Sequence, residues 1–173
     1  MLPNKTSANP RRRRVLMADD NTTMLDMFRI VLRPSCERLN IDLIFAVDGG
    51  EALCHLRDAQ EAGERFDLVV LDYQMPVMNG PDIAKTLRSW GDHETTIVLL
   101  TAYIEGIEEE ADIESAEFAM VLSKQDMISD LRSCVECLLE TQSRRGCMAP
   151  CTKGACPHNT IRAMRVGKGG RDA

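Results

Sequence analysis

Residues 68–80 read LVVLDYQMPVMNG. The apolar run FDLVVL (66–71) stops at a carboxylate, Asp72, and the chain then passes Met75-Pro76 and Asn79-Gly80 in a tightly punctuated loop. A continuous apolar run bounded by turn signals suits a strand buried on both faces, as in a parallel sheet covered by helices. In an open sheet of that kind, ligands bind at the carboxyl ends of the strands. The strand is therefore read as a holder, and Asp72 as what it presents.

The neighbouring segments supply the rest of such a sheet. VLMA (15–18) is a short apolar run before Asp19-Asp20. TTMLDMFRIVLR (22–33) has helical spacing, and Pro34 is expected to stop it. IDLIFAV (41–47) reads as a strand broken by Gly49-Gly50, and EALCHLRDAQ (51–60) as a helix. PDIAKTLRSW (81–90) is a helix with Pro81 in its first turn, and TIVLL (96–100) a fourth strand. An acid-rich helix over 105–117, a strand AMVL (119–122) and a last helix, QDMISDLRSCVECLLETQ (125–142), follow. Five strands alternating with five helices predict an α/β fold, a doubly wound five-stranded parallel sheet.

Composition fits this core and narrows the function. The chain has 173 residues, 44% hydrophobic but only 4% aromatic, so the core must be aliphatic. Residues 15–140 carry 9 basic and 26 acidic residues, a net of -17, flanked by basic segments at 1–14 and 141–173. A body that acidic is a poor nucleic-acid binder, although the arms could touch phosphates or fold back onto it. No apolar run reaches the length of a membrane span, and no secretory leader is recognised. The odd number of cysteines, seven, argues for reduced thiols in a cytoplasmic setting. The expected organisation is a basic N-terminal arm (1–12), one α/β domain (13–141) and a basic, Cys-containing tail without its own core (142–173).

The strand ends carry the chemistry. Strand 1 ends at Asp19-Asp20, strand 3 at Asp72, strand 4 at Thr101 and strand 5 near Lys124, while Asp48 after strand 2 is less firmly part of the group. Singly, each is an ordinary cap or solvated charge; the conjunction gives them weight. Three carboxylates at one edge repel, and a hard divalent ion with few protein ligands, Mg²⁺, relieves this. Lys124 and Thr101 opposite suit two oxygens of an incoming phosphoryl group, with the metal on a third. Asp72 is then the nucleophile, accepting phosphate as an acyl phosphate.

The motifs VLMADDN (15–21), LDYQMPVMNG (71–80), IVLLTA (97–102) and VLSK (121–124) together resemble the receiver domain of two-component response regulators, the CheY-like family. The resemblance implies a flavodoxin-like strand order 2-1-3-4-5. It implies Asp72 as phospho-acceptor, and Mg²⁺ held by Asp19, Asp20, Asp72 and the Gln74 backbone carbonyl. Thr101 becomes the switch hydroxyl and Lys124 the phosphoryl contact, with small Ala102 leaving room for the group. Gln74 and Tyr103 occupy positions that set the lifetime of the phosphorylated state, Tyr103 by shielding it from water. The implied donor is a phosphohistidine on a histidine kinase or phosphotransfer protein. The implied readout face is formed by the fourth predicted helix, the fifth strand and the last helix.

Two positions depart from the family. Gln125 replaces the usual proline after the lysine, so a cis peptide is not expected there. Val121 stands where an aromatic usually couples to the threonine, and nearby Phe118 is not an evident substitute. With no space after the last helix for an output domain, the reading is a stand-alone, non-enzymatic response regulator that switches an unknown downstream protein or relays the phosphate. The alternative is a pseudo-receiver adaptor that binds without phosphorylation. Its tail, with Cys147, Cys151, Cys156 and His158, offers four metal or redox ligands in a spacing of no common zinc motif. A flavodoxin-like redox protein fits the sheet but not the strand-end acids, which repel a cofactor phosphate.

Overall fold

The computed structural model describes residues 11–102 and 116–143, with backbone only at 126–130 and 141–143. Its elements are β1 (Arg13–Ala18), α1 (Thr22–Leu39), β2 (Ile41–Ala46), α2 (Gly49–Glu61), β3 (Leu68–Asp72), α3 (Gly80–Ser89), β4 (Thr96–Thr101), β5 (Met120–Ser123) and α4 (Lys124–Ser143). The sheet runs β2-β1-β3-β4-β5 with every pair parallel, as predicted. The helix predicted over 105–117 falls largely outside the described residues; Ala116 and Glu117 stand in a turn.

Strand alternation divides the core. Leu16, Val69, Leu71, Ile97 and Leu99 face α2 and α3, while Val15, Met17, Val70, Val98 and Leu100 face α1 and α4. Every residue of β3 is buried, which is why its sequence carries no polar alternation. The cluster on the α1 and α4 side includes the buried thiol of Cys134.

Pro34 does not stop α1, contrary to the sequence expectation: it sits inside the helix. The ring removes one backbone donor, but contacts to α4 hold the following turn. Buried Ser35 donates Oγ to Glu136 Oε1 at 2.6 Å, and Arg38 pairs with Glu136 Oε2 at 2.6 Å. Asn40 then ends the helix in the left-handed region. Burial pushes the Glu136 carboxyl up, but hydrogen bonds from Ser35 and Arg38 outweigh it and leave it below its ordinary 4.5. A depressed carboxyl stabilises the fold above its unfolded value and loses that contribution as pH falls through the folded value. Glu136→Ala is expected to cost about 1–2 kcal/mol at neutral pH. The deficit should shrink below pH 4.5, as denaturant melts at several pH values would show.

The arginine-rich lead-in folds back onto the body. Arg11 bonds Asp67 at 2.6 Å, Arg14 bonds Glu64 at 2.8 Å, and Arg14 lies 4.5 Å over the Phe66 ring. At these residues the cations meet the protein's own acids.

Candidate phosphorylation site

Parallel pairing puts all the strand ends on one edge. Ala18 is level with Leu71, Asp72 with Leu100, and Thr101 with Ser123. The residues following β1 and β5 therefore meet those ending β3 and β4. Lys124 Nζ lies 2.9 Å from Asp19 Oδ2 and 2.8 Å from Asp72 Oδ2. Asp19 is fully buried, Asp72 is 5% exposed and Asp20 is exposed, so the site has an inner wall and an open mouth. Thr101 is buried and Ala102 is exposed beside it. Asp19 Oδ1 accepts from the Asn21 amide at 2.9 Å, and Asn21 caps α1, so the helix start fixes this carboxylate.

Burial raises the Asp72 carboxyl above its ordinary 3.8; the Lys124 hydrogen bond opposes this, and Asp19 adds to it. Burial works against the Lys124 charge, yet hydrogen bonds to Asp19 and Asp72 prevail and raise its pKa above 10.5. Lys124 is thus a firm cation between two buried carboxylates.

The donor set fits a small hard cation. Oxygens of Asp19, Asp20 and Asp72 all lie within 4.8 Å of one another, close enough to share one ion. Asp19 Oδ2 is buried, with the Lys124 ammonium 2.9 Å away as an ion-pair partner. That oxygen has capacity for a metal, and Mg²⁺, which retains several waters, suits so few protein ligands.

Asp48 does not join the group. Its side chain caps α2, accepting from the Glu51 amide at 2.8 Å. β2 ends before Gly49-Gly50, as expected, and α2 begins at the pair itself, two residues earlier than the helix read at 51–60. A Cβ on Gly49 would collide with Met78 O, and one on Gly50 would lie 3.3 Å from Val77 Cγ1. The glycines let the β3–α3 loop dock backbone to backbone. The sequence reading missed this contact; the Gly-Gly pair was its only signal.

In that loop the Met78 amide donates to Pro76 O at 2.8 Å around Val77, whose φ is +71°. Positive φ is costly for a β-branched residue, and Val77 is also 83% exposed. Val77→Asn relieves the strain without opening the core. It is expected to stabilise the protein by about 1 kcal/mol, read from denaturant melts.

Val121 is buried on the Thr101 face of the sheet, and Phe118 is buried in the same cluster. No cis peptide occurs among the described residues, Lys124–Gln125 included. Gln74 is exposed in the loop after Asp72. Tyr103 and the proposed tail ligands Cys147, Cys151, Cys156 and His158 lie outside the described residues.

A buried aspartate ending a strand of a parallel sheet, with acidic, hydroxyl and lysine partners at neighbouring strand ends, is the arrangement of a receiver domain. The model of the response regulator receiver domain family matches residues 15–136, and the chain belongs to that family. Among curated relatives, the DNA-binding response regulator MtrA of Mycolicibacterium smegmatis is 36% identical over 104 residues, 60% of this chain and 41% of that protein. The alkaline phosphatase synthesis transcriptional regulatory protein SphR of Synechococcus elongatus is 40% identical over 82 residues, 45% of this chain and 30% of SphR. The chain thus spans about two fifths or less of these two relatives. Among solved structures, a CheY-like receiver domain protein from Methanospirillum hungatei has a TM-score of 0.64 at 22% identity, covering 78% of this chain and 98% of its own. The receiver domain of an HD domain-containing protein from Pseudomonas fluorescens has a TM-score of 0.62 at 27% identity, covering 78% of this chain and 99% of its own.

Proposed function

We propose that the protein acts as a response regulator whose receiver domain takes a phosphoryl group on Asp72 from a phosphohistidine of a histidine kinase or phosphotransfer protein. The observation that carries this reading is the Lys124 ammonium set between the buried Asp19 and Asp72 carboxylates. In the transfer, an Asp72 carboxylate oxygen bonds to phosphorus as the phosphorus–nitrogen bond of the donor breaks. The nitrogen leaves with the electron pair and is protonated. Lys124 meets the charge on one phosphoryl oxygen, and the Thr101 hydroxyl donates to another beside the open space at Ala102. Asp19, Asp20, Asp72 and the Gln74 carbonyl would hold Mg²⁺, which when bound supplies charge neutralisation to the phosphoryl oxygens.

The protein acts on no external substrate in this reading. It assists only its own phosphorylation and dephosphorylation, with Gln74 and Tyr103 setting the lifetime, and works in the cytoplasm. Among the described residues, no helix is long and apolar enough to cross a membrane. The output is a changed affinity for a protein partner or onward transfer of the phosphate. The MtrA relatives are named as DNA-binding regulators, but this body is strongly acidic and its Arg11 and Arg14 are paired internally. Nucleic acid is therefore outside the proposal.

Intact mass after incubation with Mg²⁺ and acetyl phosphate tests the reading. Wild type is expected to gain one phosphoryl group, lost on chelation of the metal beforehand, and Asp72→Asn none. No uptake by wild type, with rapid-quench sampling to catch a short-lived adduct, would instead favour the phosphorylation-independent adaptor. Val121 and Gln125, the two departures from the family pattern, favour that second reading.

A further inference from the structure

We infer that Arg88, at the far edge of the sheet, is a positioning residue for Lys124: it anchors the start of β5, the short strand whose end carries the lysine. The inference rests on the receiver reading above. β5 has four residues and lies at the edge of the sheet, paired with β4 alone. Burial of its side chains sets its register, but so short an edge strand leaves the chain entering and leaving it to be placed by contacts outside the sheet.

At the start, Arg88 performs that task. Its side chain is 9% exposed, and its guanidinium donates to Asp92 O at 2.7 Å, Thr95 O at 3.1 Å and Glu117 O at 3.2 Å. Its Nε lies 3.6 Å from Glu117 Oε2, which His93 Nδ1 also approaches at 3.2 Å. Glu117 has φ +52°, an uphill conformation for a side chain of its kind that needs a tether. Two residues later the Ala119 amide donates to Ile97 O at 2.8 Å, and β5 begins.

The support behind Arg88 is firm. Thr95 is buried and donates Oγ1 to Phe66 O at 2.9 Å, fixing the α3–β4 loop to the segment that leads into β3. The β3 lead-in, Thr95, Arg88 and Glu117 thus form one line of contacts ending at β5. The strand spans roughly 20 Å from Glu117 to Lys124. One cation holds its start, and the other, Lys124, joins its end to Asp19 and Asp72.

Removing Arg88 frees the start of β5 and lets Lys124 withdraw from the carboxylates. This has a signature that general destabilisation lacks. Lys124 competes with Mg²⁺ for Asp19 and Asp72, so its withdrawal tightens metal binding while it slows phosphoryl uptake. In the full chain, Arg88→Met is expected to slow phosphorylation by acetyl phosphate about tenfold. Calorimetric titration with Mg²⁺ should show a lower Kd for the same variant. Lys124→Met should shift both readouts in the same directions, and the double variant should be no slower than Lys124→Met alone. Wild-type values for Arg88→Met, slower uptake with weaker Mg²⁺ binding, or additive slowing in the double variant would each overturn the inference. If Arg88→Met does not fold, Arg88→Lys carries the test, since an ammonium cannot span three carbonyls from this position. Both shifts then support the inference, and wild-type values in both overturn it. Should wild type accept no phosphate, the receiver reading fails on its own, and Mg²⁺ titration of the single variants still decides whether Arg88 positions Lys124.

Discussion

Asp72→Asn is expected to melt at a higher temperature than wild type in Mg²⁺-free buffer while losing all phosphoryl uptake. The proposed phospho-acceptor is held at a cost. Burial raises its carboxyl above 3.8, and Asp19 adds to the strain that Lys124 only partly relieves. The sign follows from proton linkage. Between 3.8 and the raised folded value, the native protein keeps a proton that the unfolded chain gives up, so stability falls as pH rises across that window. Above it the full penalty stands, and asparagine escapes it while Lys124 keeps Asp19 as a partner. The gain is expected to be about 1 kcal/mol at neutral pH and to vanish at acid pH, where wild-type Asp72 is itself neutral. Added Mg²⁺ should close the gap from the other side by stabilising wild type more than the variant. Thermal melts with and without Mg²⁺, at neutral and acid pH, check all three points. A variant less stable than wild type under Mg²⁺-free neutral conditions would show that the Lys124 pairing outweighs the burial penalty.

Gly80→Ala is expected to damage fold and function together. Gly80 is the first residue of α3, and its amide donates to Tyr73 O at 3.2 Å. A Cβ there would run into Asp72 O and lie 2.9 Å from Leu99 Cδ1. One obstacle is the backbone of Asp72 and the other a fully buried side chain, so neither can give way freely. Either α3 lifts from the sheet or the end of β3 moves. The expected loss is about 3 kcal/mol of stability, as for an overpacked core. A displaced Asp72 also loses its alignment with Lys124, so phosphorylation should slow even in the fraction that remains folded. Denaturant melts read the first effect, and the rate of mass gain, corrected for folded fraction, reads the second. The motif's terminal glycine is thus required because α3 must pass directly over the backbone of Asp72.

The sequence by itself determined the sheet and most of the site. A buried strand has no solvent face, so LVVL at 68–71 and IVLL at 97–100 were legible as parallel-sheet strands. Because such strands end on a common edge, the positions of Asp19, Asp20, Asp72, Thr101 and Lys124 along the chain were enough to predict their meeting. Tertiary structure decided the rest, where distant segments outweigh a local preference. Pro34 reads as a helix stop, yet Ser35 and Arg38 find Glu136 a hundred residues away and the helix continues. Gly49-Gly50 reads as the break after a strand, and so it is, but only the packing shows that the pair also opens α2 and gives the Met78 backbone its space. Asp48 reads as a possible fourth acid, yet its side chain accepts from the Glu51 amide, and it becomes a cap. Arg88 carries no local signal at all. Its neighbours mark it as one more polar residue of a helix, and only the packing of two loops around its guanidinium shows that it holds the strand that brings Lys124 to Asp72.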